Sequence, residues 1–156
     1  IERRANVDGA GAVGLDRLVR EALRMRPDRI VLCECRGAEL REVMLALNTG
    51  HRGGFATLHA NSVRDVPSRL VALAALAGMG ERAAAMHAQS AFQAVVHVQR
   101  EGGRRWVAEL GVFTRTKSVL AVELAAEASL DGRVRWGAAG AALRELAGLS
   151  SPELAA

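Results

Sequence analysis

The residues best suited to chemistry are one carboxylate and two imidazoles set around short apolar runs: Glu34 in RIVLCECRG, and His51 and His59 in TGHRGGFATLHANS. A carboxylate at the end of a buried strand can orient a water or take its proton, and an imidazole beside it can donate to a phosphoryl oxygen. Two His and one Glu also form a known zinc set, but no HExxH spacing accompanies them, which weighs against a metal site. From spacing alone the plainer alternatives stay open. Glu34 could be a surface carboxylate paired with Arg36 or Arg41, and each histidine a solvated loop residue. The Thr, Gly and Asn residues around both histidines favour a functional loop.

These side chains need elements to position them. Leu15, Leu18, Val19 and Leu23 recur at helical spacing in LDRLVREALRMR, and Pro27 closes that amphipathic helix. Arg29 to Cys35 is a β-branched apolar run suited to a buried strand, with Glu34 at its carboxyl end, where open α/β sheets bind ligands. Strand alternation would send Cys33 and Cys35 to one face and Glu34 to the other. Gly37 opens a second helix in GAELREVMLALNTG, closed by Asn48, Thr49 and Gly50. GGFATLHA is a second short strand ending at His59; beside the first strand it would gather both histidines around Glu34. Asn61 or Ser62 caps the next helix, which stops at Gly78, and ERAAAMHAQS forms another. From Ala91 onward the pattern turns to strands, FQAVVHVQR, RRWVAELGVFTR and VLAVELAAE, before a short helix in AALRELAG. The fold class is α/β, with a core over residues 1–100 and a small β-rich extension over residues 101–156.

A chain of 156 residues can bury one respectable core but not two. Half of it is hydrophobic, 24% charged and 3% aromatic, which excludes the disordered and fibrous classes. The formal charge of +4 would admit a nucleic-acid or anionic-lipid partner. Against nucleic acid stand the arginines scattered beside Asp and Glu, the single lysine, Lys117, and the scarcity of stacking aromatics. Cys33 and Cys35 are about 6.5 Å apart along an extended strand, with no turn to join their sulfurs, so reduced thiols and a cytosolic setting are expected. No run of about 20 uncharged apolar residues offers a transmembrane segment. IERRANVDGAG has neither an initiator Met nor a signal-peptide layout, and is read as a cut rather than a beginning.

The stretch LVREALRMRPDRIVLCECRGAELREVMLALNTGHRGGFATLHANSVRDVPSRL resembles the core of the type II/IV secretion ATPases, in particular the Tad/Flp pilus-assembly and conjugal-transfer branch. The likeness runs from about Arg3 to Arg100. RPDRIVLCECRG resembles the family's Walker B block and NTGHRGGFATLHANS its His box. The resemblance implies a RecA-like P-loop NTPase core, ATP and Mg2+, and a homo-oligomer, hexameric when intact. It also implies an inner-membrane platform protein as partner and a cytoplasmic position at the inner face of that membrane. By position, Glu34 matches the acid that orients the attacking water and helps organise magnesium through water. His59 matches the residue near the terminal phosphate, and His51 is the second His of that box. Arg36 and Asp28 match the residues flanking the Walker B strand. Glu2, Arg3, Asn6 and Asp8 fall in the stretch resembling the acidic box, which adds Arg3 to the nucleotide-side candidates.

Two departures stand out. Cys33 occupies the place where the family usually has Gly, and no GxxxxGK[ST] precedes the Walker B block, so the chain alone is expected to be inactive. GVFTRTKS, Gly111 to Ser118, has Gly, Lys and Ser at Walker A spacing but Thr116 where a phosphate loop needs its second Gly, and it reads as a strand and a turn. The rival readings are a truncated, non-catalytic interaction module and a small metal-dependent hydrolase built on Glu34, His51 and His59.

Overall fold

Two short parallel strands and a longer antiparallel sheet carry the β-structure of the computed structural model, which describes residues 11–51, 53–115 and 119–149. By contacts the chain divides into two units. One holds residues 1–59 and 68–91, the other residues 60–67 and 92–156.

The first unit begins with α1, Leu15–Arg24, whose spacing buries Val19 while Arg20 on its polar side pairs with Asp16 at 2.8 Å and with Glu42 at 3.3 Å. Glu42 belongs to α2, Glu39–Asn48, which buries Leu40, Val43, Met44 and Leu47 on one stripe. β1, Val31–Leu32, and β2, Phe55–Ala56, pair in parallel, with Val31 opposite Phe55 and Leu32 opposite Ala56. Both strands are far shorter than the sequence pattern predicts. After α3, Val66–Leu76, comes α4, Glu81–Ala91, which buries Ala84, Ala85, Ala88 and Ala91. These small side chains let it lie close to α2, where Asn48 Nδ2 donates to the His87 carbonyl at 3.1 Å.

The second unit is an antiparallel meander of β3, Ala94–Glu101, β4, Arg104–Arg115, β5, Leu120–Ala128, and β6, Val134–Trp136, in that order. The first three match the predicted runs closely. Gly102 and Gly103, both at positive φ, make the two-residue β3–β4 turn. β6 was not anticipated; its signal is Asp131-Gly132, a turn pair between two β-prone runs, with Gly132 at φ 87°. A helix α5, Gly140–Leu146, supplies Leu143 to a small core of Val112, Ala125, Ala139 and Leu110. Ser62 does not cap a helix with its hydroxyl, which donates to Asp65 Oδ2 at 2.8 Å beside a 3-10 turn at Val63–Asp65.

Candidate functional site

The parallel ladder explains how Glu34 comes to be presented. Phe55 N–H meets Ile30 O at 2.9 Å and Thr57 N–H meets Leu32 O at 3.1 Å. Regular pairing would next bring the N–H of residue 34 to Thr57 O. Cys35 N–H makes that bond instead, at 2.6 Å, and Glu34 N–H turns back to Leu32 O at 3.1 Å. One extra residue therefore leaves the ladder, a bulge just past the carboxyl end of β1, and Glu34 adopts φ 89°. This corrects the predicted alternation. Cys35 is 1% exposed while Cys33 faces solvent, so the two thiols do not share a face.

The Glu34 carboxylate lies between two cation-capable groups. Arg36 Nη2 donates to Oε2 at 2.5 Å, and His59 Nε2 stands 2.9 Å from Oε1. The arginine bond is the main cause of a Glu34 pKa below the usual carboxylate value of 4.5; desolvation opposes it, and the His59 hydrogen bond adds a lesser lowering. The carboxylate is the more sheltered partner, its side chain 27% exposed against 76% for Arg36 and 85% for His59. Gly54 sets the approach of the loop that leads to His59, because a Cβ there would stand 2.6 Å from Leu47 Cδ2 and 2.7 Å from Ile30 O.

The other sequence candidates lie elsewhere. His51 Nδ1 is 3.2 Å from the Ala46 carbonyl near the end of α2, so the proposed trio of Glu34, His51 and His59 does not assemble. Among the described residues no three His, Cys, Asp or Glu side chains converge as a metal site. Asp28 is exposed ahead of β1, and no hydrogen bond or ion pair links it to Glu34 or His59. Glu2, Arg3, Asn6 and Asp8 lie outside the described residues. In GVFTRTKS, Gly111 to Arg115 is part of β4 and pairs with β5, while residues 116–118 lie outside the described residues.

Sequence reasoning missed Glu39. Its carboxylate, 8% exposed, accepts hydrogen bonds from the backbone N–H of Arg36 and of Gly37, the latter at 2.8 Å. The available signal was its position in the first turn of the predicted helix, three residues past Arg36, where an acidic side chain reaches back to free N–H groups.

Comparison with known proteins bears on the family of the chain. A Mycobacterium tuberculosis protein whose name assigns it to conjugal transfer is 51% identical over 120 residues, 75% of this chain and 34% of that protein. The conjugal transfer protein TrbB of Rhizobium radiobacter is 31% identical over 109 residues, 70% of this chain and 33% of that protein. The type IV secretion system protein PtlH of Bordetella pertussis is 46% identical over 59 residues, 38% of this chain and 17% of that protein. The chain thus spans about a third of the length of the first two relatives. The family model for type II/IV secretion system proteins matches residues 2–105, and the chain belongs to that family.

Proposed function

We propose that this chain carries the water-polarising half of an ATP-hydrolysing site in a motor for conjugal transfer, pilus assembly or protein secretion. The observation that carries the reading is the Glu34 carboxylate, bulged out past the ends of two parallel strands and held 2.9 Å from His59 and 2.5 Å from Arg36. Strand ends are where α/β folds bind ligands, and the Arg36 and His59 contacts favour the ionised form of Glu34. Glu34 orients the attacking water by accepting a hydrogen bond from its O–H. His59 and Arg36 present donors towards the charge that develops on the terminal phosphate.

Magnesium in such sites takes only one or two protein carboxylates, with phosphate and water oxygens completing its shell. Among the described residues no wider ligand cluster forms, and a single carboxylate fits that role better than an all-protein metal cage. Bound with the nucleotide, the ion supplies neutralisation of phosphate charge, and Glu34 is the residue of this chain that would reach it through water. No GxxxxGK[ST] occurs in the chain, so the phosphate nest of the proposed RecA-like core belongs to sequence outside it. The proposed assembly is a homo-hexamer on an inner-membrane platform protein, at the cytoplasmic face. No helix among the described residues is long and apolar enough to cross a membrane.

The test is magnesium-dependent ATP hydrolysis by the intact gene product. Glu34→Gln is expected to bind a fluorescent ATP analogue yet turn over about 10²-fold or more slower, because the amide keeps the shape and loses the charge. Wild-type turnover in that variant would take Glu34 out of the mechanism. An intact protein that binds its assembly without hydrolysing ATP would favour the interaction-module reading.

A further inference from the structure

Glu39 is the one buried charged side chain among the described residues. A carboxylate taken out of water is tolerated only when hydrogen-bonded, and Glu39 makes its two bonds to the backbone of Arg36 and Gly37, the short link between Glu34 and α2. That link is fixed from both sides. Upstream, Cys35 N–H is tied to Thr57 O at 2.6 Å; downstream, Glu39 Oε1 gathers the next two N–H groups. Between β1 and these two anchors sits Glu34 at φ 89°, a conformation that a non-glycine residue holds only when its surroundings impose it.

We infer that Glu39 is a positioning residue for the proposed hydrolytic site: by clamping the Arg36–Gly37 backbone to the start of α2, it holds the Glu34 carboxylate in register with His59. The inference rests on the ATPase reading above, but the clamp also has a consequence that does not involve turnover. Cys35, 1% exposed, directly follows Glu34 and precedes the clamped residues, so a closed turn shields its thiol. Cys33, on the other side of Glu34, is exposed. The pair therefore reports whether the turn is closed.

The experiment compares Glu39→Ala, Glu39→Asp, Glu39→Gln and Glu34→Gln in the intact gene product. It reads kcat, KM for ATP and the reaction of native thiols with a maleimide. Glu39→Ala is expected to lower kcat about 10- to 100-fold with KM within about twofold, since displacement of a reacting group by an ångström is enough for that. Glu39→Asp keeps the charge but loses the reach, and follows Glu39→Ala. Glu39→Gln keeps an Oε1 acceptor and stays within about threefold of wild type. Of these two cysteines, Cys33 alone is labelled in the wild type and in Glu39→Gln, whereas Cys35 is labelled as well in Glu39→Ala and Glu39→Asp. Slow Glu34→Gln with wild-type kcat in Glu39→Ala and Glu39→Asp overturns the inference and leaves the ATPase reading standing. Wild-type turnover in Glu34→Gln removes the ATPase reading, and Cys35 still protected in Glu39→Asp then overturns the clamp. Glu39→Gln as impaired as Glu39→Ala in both readouts overturns it too.

Discussion

In residues 92–149 every described residue at positive φ is a glycine, Gly102, Gly103, Gly132 and Gly148, whereas residues 11–59 place Arg26 and Glu34 there as well. The strands differ in the same sense. β3, β4 and β5 run for 8, 12 and 9 residues, while β1 and β2 stop after two each. Long antiparallel strands with glycine turns satisfy their backbone within the ladder and need no strained residue. The unit with Glu34 interrupts its ladder instead and holds a carboxylate in a conformation costing about 1–3 kcal/mol. Strain of that kind persists only where surrounding contacts exceed it. Here they come from the Cys35 N–H bond to Thr57 O, from the Glu39 clamp, and from the α2 helix that carries Glu39 and buries Leu40, Val43, Met44 and Leu47.

The largest expected effect tests that dependence. Leu40, at 0% exposure, is the first large side chain after the clamp, and Leu40→Ala should cost about 2–5 kcal/mol of stability in a urea titration. Val98 on β3 is 53% exposed, and Val98→Ala should change stability by less than about 0.5 kcal/mol. Equal costs at the two positions would mean that the contrast between the units is not one of support.

The next effect separates the two histidines. His59 contacts the Glu34 carboxylate and His51 contacts the Ala46 carbonyl, so His59→Ala should lower kcat of the intact gene product about tenfold. His51→Ala should leave kcat within about threefold and instead cost about 1 kcal/mol of stability, the net value of a hydrogen bond. A larger kcat loss at His51 would reverse their roles.

A smaller effect concerns pH. The Glu34 pKa is depressed from 4.5, chiefly by the Arg36 hydrogen bond. A depressed carboxylate contributes stability that is fully present above its unfolded pKa and is lost as pH falls through the lower folded value. For Glu34 that window therefore lies below 4.5. Arg36→Gln removes the first cause, so the carbon-13 titration of the Glu34 carboxyl should move up, with desolvation acting in the same direction and His59 against it. An unmoved titration would show that the Arg36 contact is not kept in solution.

The regular parts of this fold were legible because their signals are local. The β-prone runs after Ala91, the helical spacing of LDRLVREALRMR and the glycine and Asn-Thr-Gly bounds of α2 each lie within a dozen or so residues, and the structure places elements on them. Glu34 and His59 were also legible as a pair, since both sit near the ends of neighbouring strands. The bulge was not. Whether residue 34 or residue 35 bonds to Thr57 depends on how Cys35 packs and on where α2 begins, and neither is encoded in the alternation of RIVLCEC. The same packing hides Glu39, whose partners are backbone groups rather than a residue type that spacing could flag. His51 was expected beside Glu34 and instead stands at the Ala46 carbonyl, because proximity in sequence to the His59 loop does not fix where an imidazole points.

The smallest predicted effect turns the comparison into a direct test of strain. Arg26 follows α1 at φ 51°, where its N–H bonds back to Leu23 O at 3.1 Å, and this left-handed position after a helix is one that glycine fills most easily. Arg26→Gly should relieve the Cβ conflict and, after allowing for the greater freedom of an unfolded glycine, stabilise the protein by roughly 0.5–1 kcal/mol. Since the hydrogen bonds and ion pairs of Glu34 run to Arg36 and His59 and not to Arg26, turnover of the intact gene product should not change. Glu34→Gly relieves the same conflict at φ 89° and gives up only exposed contacts to Arg36 and His59, so it should also raise the melting temperature. It removes the carboxylate as well, so turnover should be lost. Thermal melts of both variants beside their kcat values decide the matter. Stabilisation in both with activity lost only at residue 34 means that the two positions are equally strained and only one strain is kept for chemistry. A destabilised Glu34→Gly would mean instead that the carboxylate, through Arg36 and His59, holds the bulge together rather than being held by it.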